Sequence, residues 1–266
     1  MIKISLGLLL LLLSAPVLAM NFHTSYAQAT PIYQKWQELG GSNGFLGEPV
    51  GGETPTGDGK GSFQNFRDGD QNFPDGAIYW SPETGAHEVH GSILQKYRQI
   101  NTIQTLGYPK TDSIYTPPNN YCPCRSEFQG GVIYAEIEPF FMFWPIWDKF
   151  VEKKSVIGSP IGDSITRDNQ KGFLNQFQSG VIFYTRELGA HEVHGSILQK
   201  YMEVGAELGN LGYPRTDEMG TGGGCPCQSN FYAGIIYTSP ETNWIPRVTE
   251  IDPDRPEINP NCPKCD

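Results

Sequence analysis

The chain has few basic residues for its length. It carries 19 Lys and Arg against 29 Asp and Glu, which gives a formal net charge of −10 at pH 7. Nucleic acids and anionic lipid surfaces attract proteins through clustered positive charge, so this balance argues against both as partners. A neutral or cationic partner suits the charge better.

Apolar runs long enough to span a bilayer are also lacking. The longest run covers residues 4–13, follows Met-Ile-Lys and precedes the small residues of 14–19. A membrane-spanning helix needs about 20 apolar residues, whereas a short apolar core between a basic start and small residues is typical of a signal peptide. We therefore predict a signal peptide in residues 1–29, cleaved after Ala19 or Ala29. We expect a secreted protein, extracellular or associated with the cell wall.

Internal repetition organises the rest of the chain. Residues 85–97 and 189–201 are identical over thirteen positions, Gly-Ala-His-Glu-Val-His-Gly-Ser-Ile-Leu-Gln-Lys-Tyr, at an offset of 104. The chain also contains four tetrapeptides of the Leu-Gly-Tyr-Pro type and four phenylalanines followed by glycine three residues later. The tetrapeptides start at Leu46, Leu106, Ile157 and Leu211, and the pairs are Phe73/Gly76, Phe128/Gly131, Phe177/Gly180 and Phe231/Gly234. We predict two duplicates of about 104 residues in 30–245, each made of two units of about 50 residues.

Each unit reads as a short helix, a Gly-Pro turn and a two-stranded hairpin. Ile93, Leu94 and Tyr97 lie on one face of a helix predicted over 91–100. Glycine and then proline end that helix, and apolar runs rich in β-branched and aromatic residues, such as 132–134, indicate strands. One helix and one hairpin bury too little surface to be stable alone, so neighbouring units must stack. The sequence predicts a mainly β fold with short helices, arranged as a pseudo-symmetric ring or propeller-like array of four units. It also predicts that the proline-rich tail at 246–266 is extended or disordered.

These repeats resemble the LGFP repeat family. Its pattern joins a Leu-Gly-Phe-Pro-like tetrapeptide to Phe-Gln-Gly-Gly-x-Ile-Tyr and Thr-Gly-Ala-His-Glu-Val, and residues 128–134 and 84–89 carry the two longer motifs. The tetrapeptides depart from the pattern because none has phenylalanine at its third position. The resemblance covers roughly residues 31–245. It implies pseudo-symmetric repeats outside the cell, often appended to cell-wall enzymes such as mycolyltransferases or amidases, which they hold on wall polysaccharide.

Aromatic residues near carboxylates are the candidate ligand-binding features. Aromatic faces stack on sugar rings and carboxylates accept hydrogen bonds from sugar hydroxyls, so the ends of two strands and the aromatic segment 140–147 are candidate glycan sites. Trp147 of this segment and Phe150 just after it correspond to Leu94 and Tyr97, which predicts a core role for this part of the chain. The candidate ligand-binding residues are Tyr79, Trp80, Glu83, Phe141, Phe143, Trp144, Tyr237 and Glu241.

The histidines and cysteines suggest structural roles. His87 and His90, repeated as His191 and His194, have His-Glu-x-His spacing rather than the His-Glu-x-x-His of zinc proteases, so we expect the first histidine to bond to the preceding turn, and no metal or other cofactor. Disulfides are favoured over zinc in an exported chain. The six cysteines form three close pairs, Cys122/Cys124, Cys225/Cys227 and Cys262/Cys265. We expect local bridges within these pairs, while cross-pairing of the first two is possible if their loops meet at the ring centre.

Three functions are compatible with these sequence features. The first is a secreted, non-catalytic repeat protein that binds extracellular or cell-wall polysaccharide through several weak, equivalent sites, which multivalency makes effective. The second is a secreted hydrolase of cell-wall glycan or peptide, although no residue has the sequence context of an activated nucleophile. The third is a structural or adhesive protein that binds another protein through the segment 140–147.

Overall fold

Four antiparallel sheets follow one another along the chain, and a helix precedes each of them. The computed structural model describes residues 30–67, 76–115, 125–167, 171–220, 227–238, 243 and 245–249. No helix among these residues is long and apolar enough to cross a membrane.

The helices are short, as the glycine and proline content requires. Within the described residues they are α1 (Pro31–Glu38), α2 (Gly91–Gln99), α3 (Thr102–Leu106), α4 (Trp144–Ile157) and α5 (Gly195–Glu203). Single 3₁₀ turns lie at Gly41–Asn43 and Ala206–Leu208. The helix predicted over 91–100 is therefore confirmed as α2.

Each sheet is a meander, because neighbouring strands in space are also neighbours in sequence. Sheet 1 comprises β1 (Glu48–Pro55), β2 (Ser62–Arg67), β3 (Gly76–Ser81) and β4 (Gly85–His90), and sheet 2 comprises β5 (Arg125–Glu127), β6 (Gly131–Ala135) and β7 (Pro139–Phe143). Sheet 3 comprises β8 (Ile165–Arg167), β9 (Gly172–Gln176), β10 (Gly180–Thr185) and β11 (Gly189–His194), and sheet 4 comprises β12 (Met219–Gly220), β13 (Cys227–Asn230), β14 (Ile235–Tyr237) and β15 (Arg247–Thr249). The mainly β class with short helices is confirmed.

The last strand of each of the first three sheets runs directly into the next helix. His90 precedes α2, Phe143 precedes α4 and His194 precedes α5. We therefore define units 1 to 4 as residues 31–90, 91–143, 144–194 and 195–249, each with one sheet and the helix before it.

The predicted two-stranded hairpin is too small. β3 pairs with β2 and also with β4, where Tyr79 lies opposite His87. The two His-Glu-Val-His segments, which were predicted only to lead into helices, are therefore strands themselves. Their valines, Val89 and Val193, are fully buried in the core. Each unit contains a sheet of three or four strands for this reason.

The repeat phenylalanine of unit 1 is Phe66, not Phe73 as the sequence spacing suggested. Phe128, Phe177 and Phe231 each pair with the proline of their tetrapeptide, and in unit 1 that proline, Pro49, pairs with Phe66. Phe66 also lies opposite Gly76 and is 2% exposed. Residues 67–75 separate the two partners in sequence, which is why spacing selected Phe73, a residue outside the described part of the chain.

The core consists of helices packed on both sides of the sheets. Successive residues of a strand face opposite sides. In β3, Ile78 therefore packs with Ile32 of α1, whereas Ala77 packs with Ile93 of α2. The same alternation recurs in β6, where Ile133 faces α2 and Val132 faces α4. Each unit consequently shares its core with the next one.

Helix α4 confirms the core role predicted for part of the aromatic segment. Trp147 and Phe150 are 8% and 1% exposed and pack with Tyr134 and Phe177. The ring of Phe150 stacks on that of Phe177, with 5.2 Å between centroids. Phe150 thus fills the place that Tyr97 fills in α2.

The tetrapeptide glycines require a backbone that β-branched residues adopt poorly. Gly107, Gly158 and Gly212 have φ angles of +71°, +76° and +67°. A Cβ atom on Gly107 would also lie 2.5 Å from Gln129 Oε1. We expect Gly107→Val, Gly158→Val and Gly212→Val each to lower the free energy of unfolding by about 1–3 kcal/mol, measured by chemical denaturation. Gly162→Val is the control, because Gly162 has open space around it; equal effects at all four positions would contradict this account.

Candidate functional site

The structure places two of the predicted ligand-binding aromatics in the core. Tyr79 is 4% exposed, and its ring contacts those of Phe63 and Tyr97 with centroid distances of 5.5 and 5.2 Å. Phe141 is 9% exposed and belongs to the core between units 1 and 2. Both rings are covered by protein on the faces that a sugar would need, so their role is packing.

Three further predicted aromatics are half-buried. Trp80 packs beside the core of α1, and the ring of Phe143 lies 4.4 Å from that of Phe173. Trp144 Nε1 donates to the carbonyl oxygen of Phe128 at 2.9 Å. The contact of Trp80 lies within unit 1, whereas those of Phe143 and Trp144 join unit 2 to unit 3. The aromatic segment 140–147 therefore mainly connects these two units.

The remaining predicted sites differ in where they lie. Glu83 is exposed, accepts a hydrogen bond from Gln129 Nε2 at 2.9 Å and lines a pocket. Tyr237 is half-buried on β14, and Glu241 lies outside the described residues. Among the cysteines only Cys227 is described, so the three predicted bridges stay predictions. The other cysteines, outside the described residues, are Cys122, Cys124, Cys225, Cys262 and Cys265.

Two pockets occupy the same place in the two duplicates. The first pocket, of about 520 Å³, lies where unit 1 meets unit 2, and the second, of about 570 Å³, lies where unit 3 meets unit 4. The first pocket is lined by residues that include Lys60, Ser81, Pro82, Glu83, Gly107, Tyr108 and Gln129. Their counterparts in the second pocket are Lys171, Thr185, Arg186, Glu187, Gly212, Tyr213 and Tyr232. The two duplicates therefore contain the same pocket, formed by equivalent residues.

The tetrapeptide tyrosine forms the floor of each pocket. Tyr108 lies against Gly61 so closely that a Cβ atom there would be 2.7 Å from its ring, and a Cβ atom on Gly172 would be 2.6 Å from the ring of Tyr213. Only glycine leaves room for the ring at these positions. The tyrosine is thus held against the glycine that follows the pocket's lysine.

Hydrogen bonds fix the floor of the first pocket. The Tyr108 hydroxyl donates to Asp58 Oδ1 at 2.7 Å, and the Thr56 hydroxyl donates to the same oxygen at 2.7 Å. Desolvation raises the pKa of Asp58, but the hydrogen bonds from Tyr108 and Thr56 outweigh it and hold that pKa below its ordinary value. Asp58 therefore presents a carboxylate to the pocket at neutral pH.

Charged and aromatic side chains form the rim of the second pocket. Lys171, Arg186 and Glu187 are exposed there, and Tyr232 is 61% exposed. Glu207, deeper in the pocket, pairs with Arg167 at 3.2 Å. An exposed tyrosine ring beside fixed charges provides both a stacking face and hydrogen-bonding groups.

The junction between units 2 and 3 has different residues at the equivalent place. Ser159 stands in the tyrosine position of its tetrapeptide and donates to Glu136, which pairs with Lys154. Desolvation raises the pKa of Glu136, but its bonds to Lys154 and Ser159 outweigh this effect and lower it. This junction has a partly exposed ion pair at the place where the other two have a tyrosine.

Sequence reasoning found Glu83 but missed the pocket tyrosines, although their signal was visible. Tyr108 and Tyr213 are the third residues of the two strongest tetrapeptides, which we read only as helix ends. Lys60 and Lys171 gave no such signal, because they are 111 residues apart in the sequence whereas the duplicates repeat at an offset of 104. Their equivalence follows only from the pairing of β2 with β3 and of β9 with β10.

A lysine–aspartate bridge links each unit to the next. The aspartate lies six residues after the first residue of the tetrapeptide, and its Oδ1 accepts a backbone N–H from the last strand of the preceding sheet. The ion pairs are Lys35–Asp112 at 3.2 Å, Lys96–Asp163 at 3.0 Å and Lys149–Asp217 at 2.8 Å. The backbone donors are Glu88, Phe141 and Glu192, at 3.1, 3.0 and 3.2 Å. The same lysine–aspartate contact is thus present at all three junctions.

The His-Glu-Val-His segments serve the same junctions. His87 Nε2 lies 2.9 Å from the Thr84 carbonyl oxygen and His191 Nε2 lies 2.8 Å from that of Leu188, which confirms the predicted bond to the preceding turn. Glu88 is 2% exposed and accepts from the backbone N–H of Ser113 at 2.7 Å. No group of three or more His, Cys, Asp or Glu in the described part of the chain is arranged to hold a metal ion.

The duplicates also agree with a known repeat. No curated protein matches the chain. The LGFP repeat model matches residues 46–102 and 157–209. Each match starts at the tetrapeptide of the first unit of a duplicate and includes the lysine and the strand end that line its pocket. The predicted resemblance is therefore confirmed: residues 46–102 and 157–209 are each an LGFP repeat.

Proposed function

We propose that this protein is a secreted, non-catalytic repeat protein that binds extracellular or cell-wall polysaccharide through its two equivalent pockets. The observation that carries the proposal is the recurrence of the same pocket in both duplicates, with a tyrosine floor and a rim of lysine and glutamate. Export is the expectation from the apolar segment in residues 1–29, and the wall partner is the expectation from the family resemblance.

The chemistry of the pockets suits a glycan. Volumes of about 520 and 570 Å³ lie within the range of small-ligand sites and fit one or two sugar rings. Carboxylates of Glu83 and Glu187 accept from sugar hydroxyls, and the exposed ring of Tyr232 offers a face to a pyranose. Two sites on one chain raise the affinity for a polymer that reaches both, even where each site alone is weak.

Single and double pocket variants test the proposal. We expect Glu83→Ala and Tyr232→Ala each to reduce retention in affinity electrophoresis through cell-wall polysaccharide by about tenfold. Each variant impairs one pocket and leaves the other pocket able to bind. The double variant should lose retention. Ile137→Ala is the control, since Ile137 is 98% exposed and remote from both pockets in sequence. Absence of retention of the unaltered protein, or equal retention of the double variant, would contradict the proposal.

The arrangement of the units is proposed as a ring. In each of the first three units, the residue after the repeat glycine packs against the helix of the following unit; these residues are Ala77, Val132 and Val181. The equivalent residue of unit 4 is Ile235, which follows Gly234. In a ring α1 covers that position. A photo-crosslinking amino acid at Tyr33, which is 50% exposed, should then react within the monomer with residues 235–249; crosslinks confined to sheet 1 would indicate an open stack.

A further inference from the structure

The two pockets carry opposite net charge. The first has two carboxylates, Asp58 and Glu83, and one lysine, Lys60. The second pocket has two cations, Lys171 and Arg186, and the carboxylates Glu187 and Glu207. Because Glu207 is neutralised by Arg167 at 3.2 Å, the second pocket is positive by one charge and the first is negative by one.

Two substitutions at the rim distinguish the second pocket from the first, and only the first of them changes the charge. Arg186 replaces Pro82 after the third strand of the sheet, and Tyr232 replaces Gln129 after the repeat phenylalanine. In the first pocket Gln129 engages Glu83 at 2.9 Å. In the second, the same position holds a ring that is 61% exposed.

The cations of the second pocket are available to a ligand. Neither Lys171 nor Arg186 forms an ion pair within the part of the chain that the structure describes, although the chain as a whole is strongly acidic. A guanidinium group presents paired N–H donors that match the two oxygens of a carboxylate. Tyr232 stands at the same rim to stack on the ring that carries such a group.

We propose that the second pocket binds a sugar residue with a carboxylate, a uronic acid, while the first pocket binds an uncharged sugar. This inference rests on the proposed glycan-binding function and adds the substrate class of each pocket. Arg186 binds the carboxylate, Lys171 adds a second positive charge, and Tyr232 packs against the pyranose. The specificity-determining residue is Arg186.

Calorimetric titration of the full chain with trigalacturonate, neutral chitotriose and inorganic sulfate tests the inference. Arg186→Gln removes the charge, and Arg186→Pro copies the residue of the first pocket, whose backbone already accommodates proline. We expect both variants to weaken trigalacturonate binding about tenfold and to change chitotriose binding less than twofold. Arg215→Gln is the matched control, because Arg215 is an exposed arginine that lines neither pocket, and it should leave trigalacturonate binding unchanged.

The possible outcomes separate the inference from the proposed function. Chitotriose binding without any preference for trigalacturonate at the second pocket would overturn the inference and leave the proposed function standing. Sulfate competing as well as trigalacturonate would also overturn it, since charge alone would then suffice. Failure of the unaltered protein to bind either saccharide or wall polysaccharide would overturn both.

Discussion

Replacing Asp217 with asparagine is expected to lower the free energy of unfolding by about 3 kcal/mol. Asp217 Oδ2 lies 2.8 Å from Lys149 Nζ and 3.0 Å from Lys153 Nζ, and Oδ1 accepts the backbone N–H of Glu192. Asparagine keeps the size of the side chain but removes the carboxylate that the two partly buried lysines share, so that only Glu152 and Glu192 remain as their partners. The loss is large because the junction between units 3 and 4 depends on this carboxylate.

The pH dependence of this contribution has a defined sign. Desolvation raises the pKa of Asp217, but hydrogen bonds from His191 and from the two lysines outweigh it and hold that pKa well below its ordinary value. The stabilisation is therefore present above the unfolded pKa of about 4 and is lost as the pH falls below it.

Urea denaturation at pH 7 measures the effect, with Asp148→Asn as the matched control. Asp148 is on α4 and is exposed, so its replacement should change the free energy of unfolding by less than about 0.5 kcal/mol. Asp112→Asn should have an intermediate effect, because Asp112 contacts one lysine, Lys35. If Asp217→Asn and Asp148→Asn were equally mild, the bridge would not hold the junction.

Glu218 is expected to make the protein less stable as the pH rises from about 4.5 to 7. Burial raises the pKa of Glu218 to about 7, and the nearby carboxylate of Glu192 adds to the increase. The folded state therefore keeps a proton that the unfolded state releases in this interval, so the free energy of unfolding falls by about 3 kcal/mol across it. The loss is complete above the folded pKa.

Glu218→Gln isolates this contribution, because glutamine remains neutral at every pH. The difference in free energy of unfolding between the variant and the unaltered protein, measured in urea at pH 5 and pH 8, should grow by about 3 kcal/mol in favour of the variant. Ser113 occupies the equivalent position in unit 2, so Ser113→Ala should show no such change. Parallel pH profiles for the Glu218→Gln variant and the unaltered protein would refute a buried, proton-binding Glu218.

The repeat made much of the fold predictable. The identical segments at an offset of 104 predicted the equivalence of α2 and α5, and the four tetrapeptides predicted the number of units and the glycines with positive φ. Burial of Trp147 and Phe150 followed because they aligned with Leu94 and Tyr97. These features depend on neighbouring residues or on the repeat, and both can be identified from the sequence alone.

Features that depend on distant residues were not predictable. The insertion 67–75 hid the equivalence of Phe66 with the repeat phenylalanines, and spacing selected Phe73 instead. The aspartates recur visibly, but their lysine partners lie 77, 67 and 68 residues earlier on other units. The pockets likewise combine a turn, a strand end and a tyrosine of the next unit, and composition alone cannot tell a pocket tyrosine such as Tyr108 from a core tyrosine such as Tyr79.

Mapping of a bound glycan by nuclear magnetic resonance tests the central claim most directly. Backbone amide chemical shifts of the full-length mature protein would be followed during titration with soluble oligosaccharides, prepared from the cell-wall polysaccharide that retains the protein in affinity electrophoresis. The account predicts saturable shifts at Lys60, Glu83 and Tyr108 of the first pocket and at their counterparts Lys171, Glu187 and Tyr213 of the second. Saturable shifts elsewhere on the surface, with none in either pocket, would contradict it.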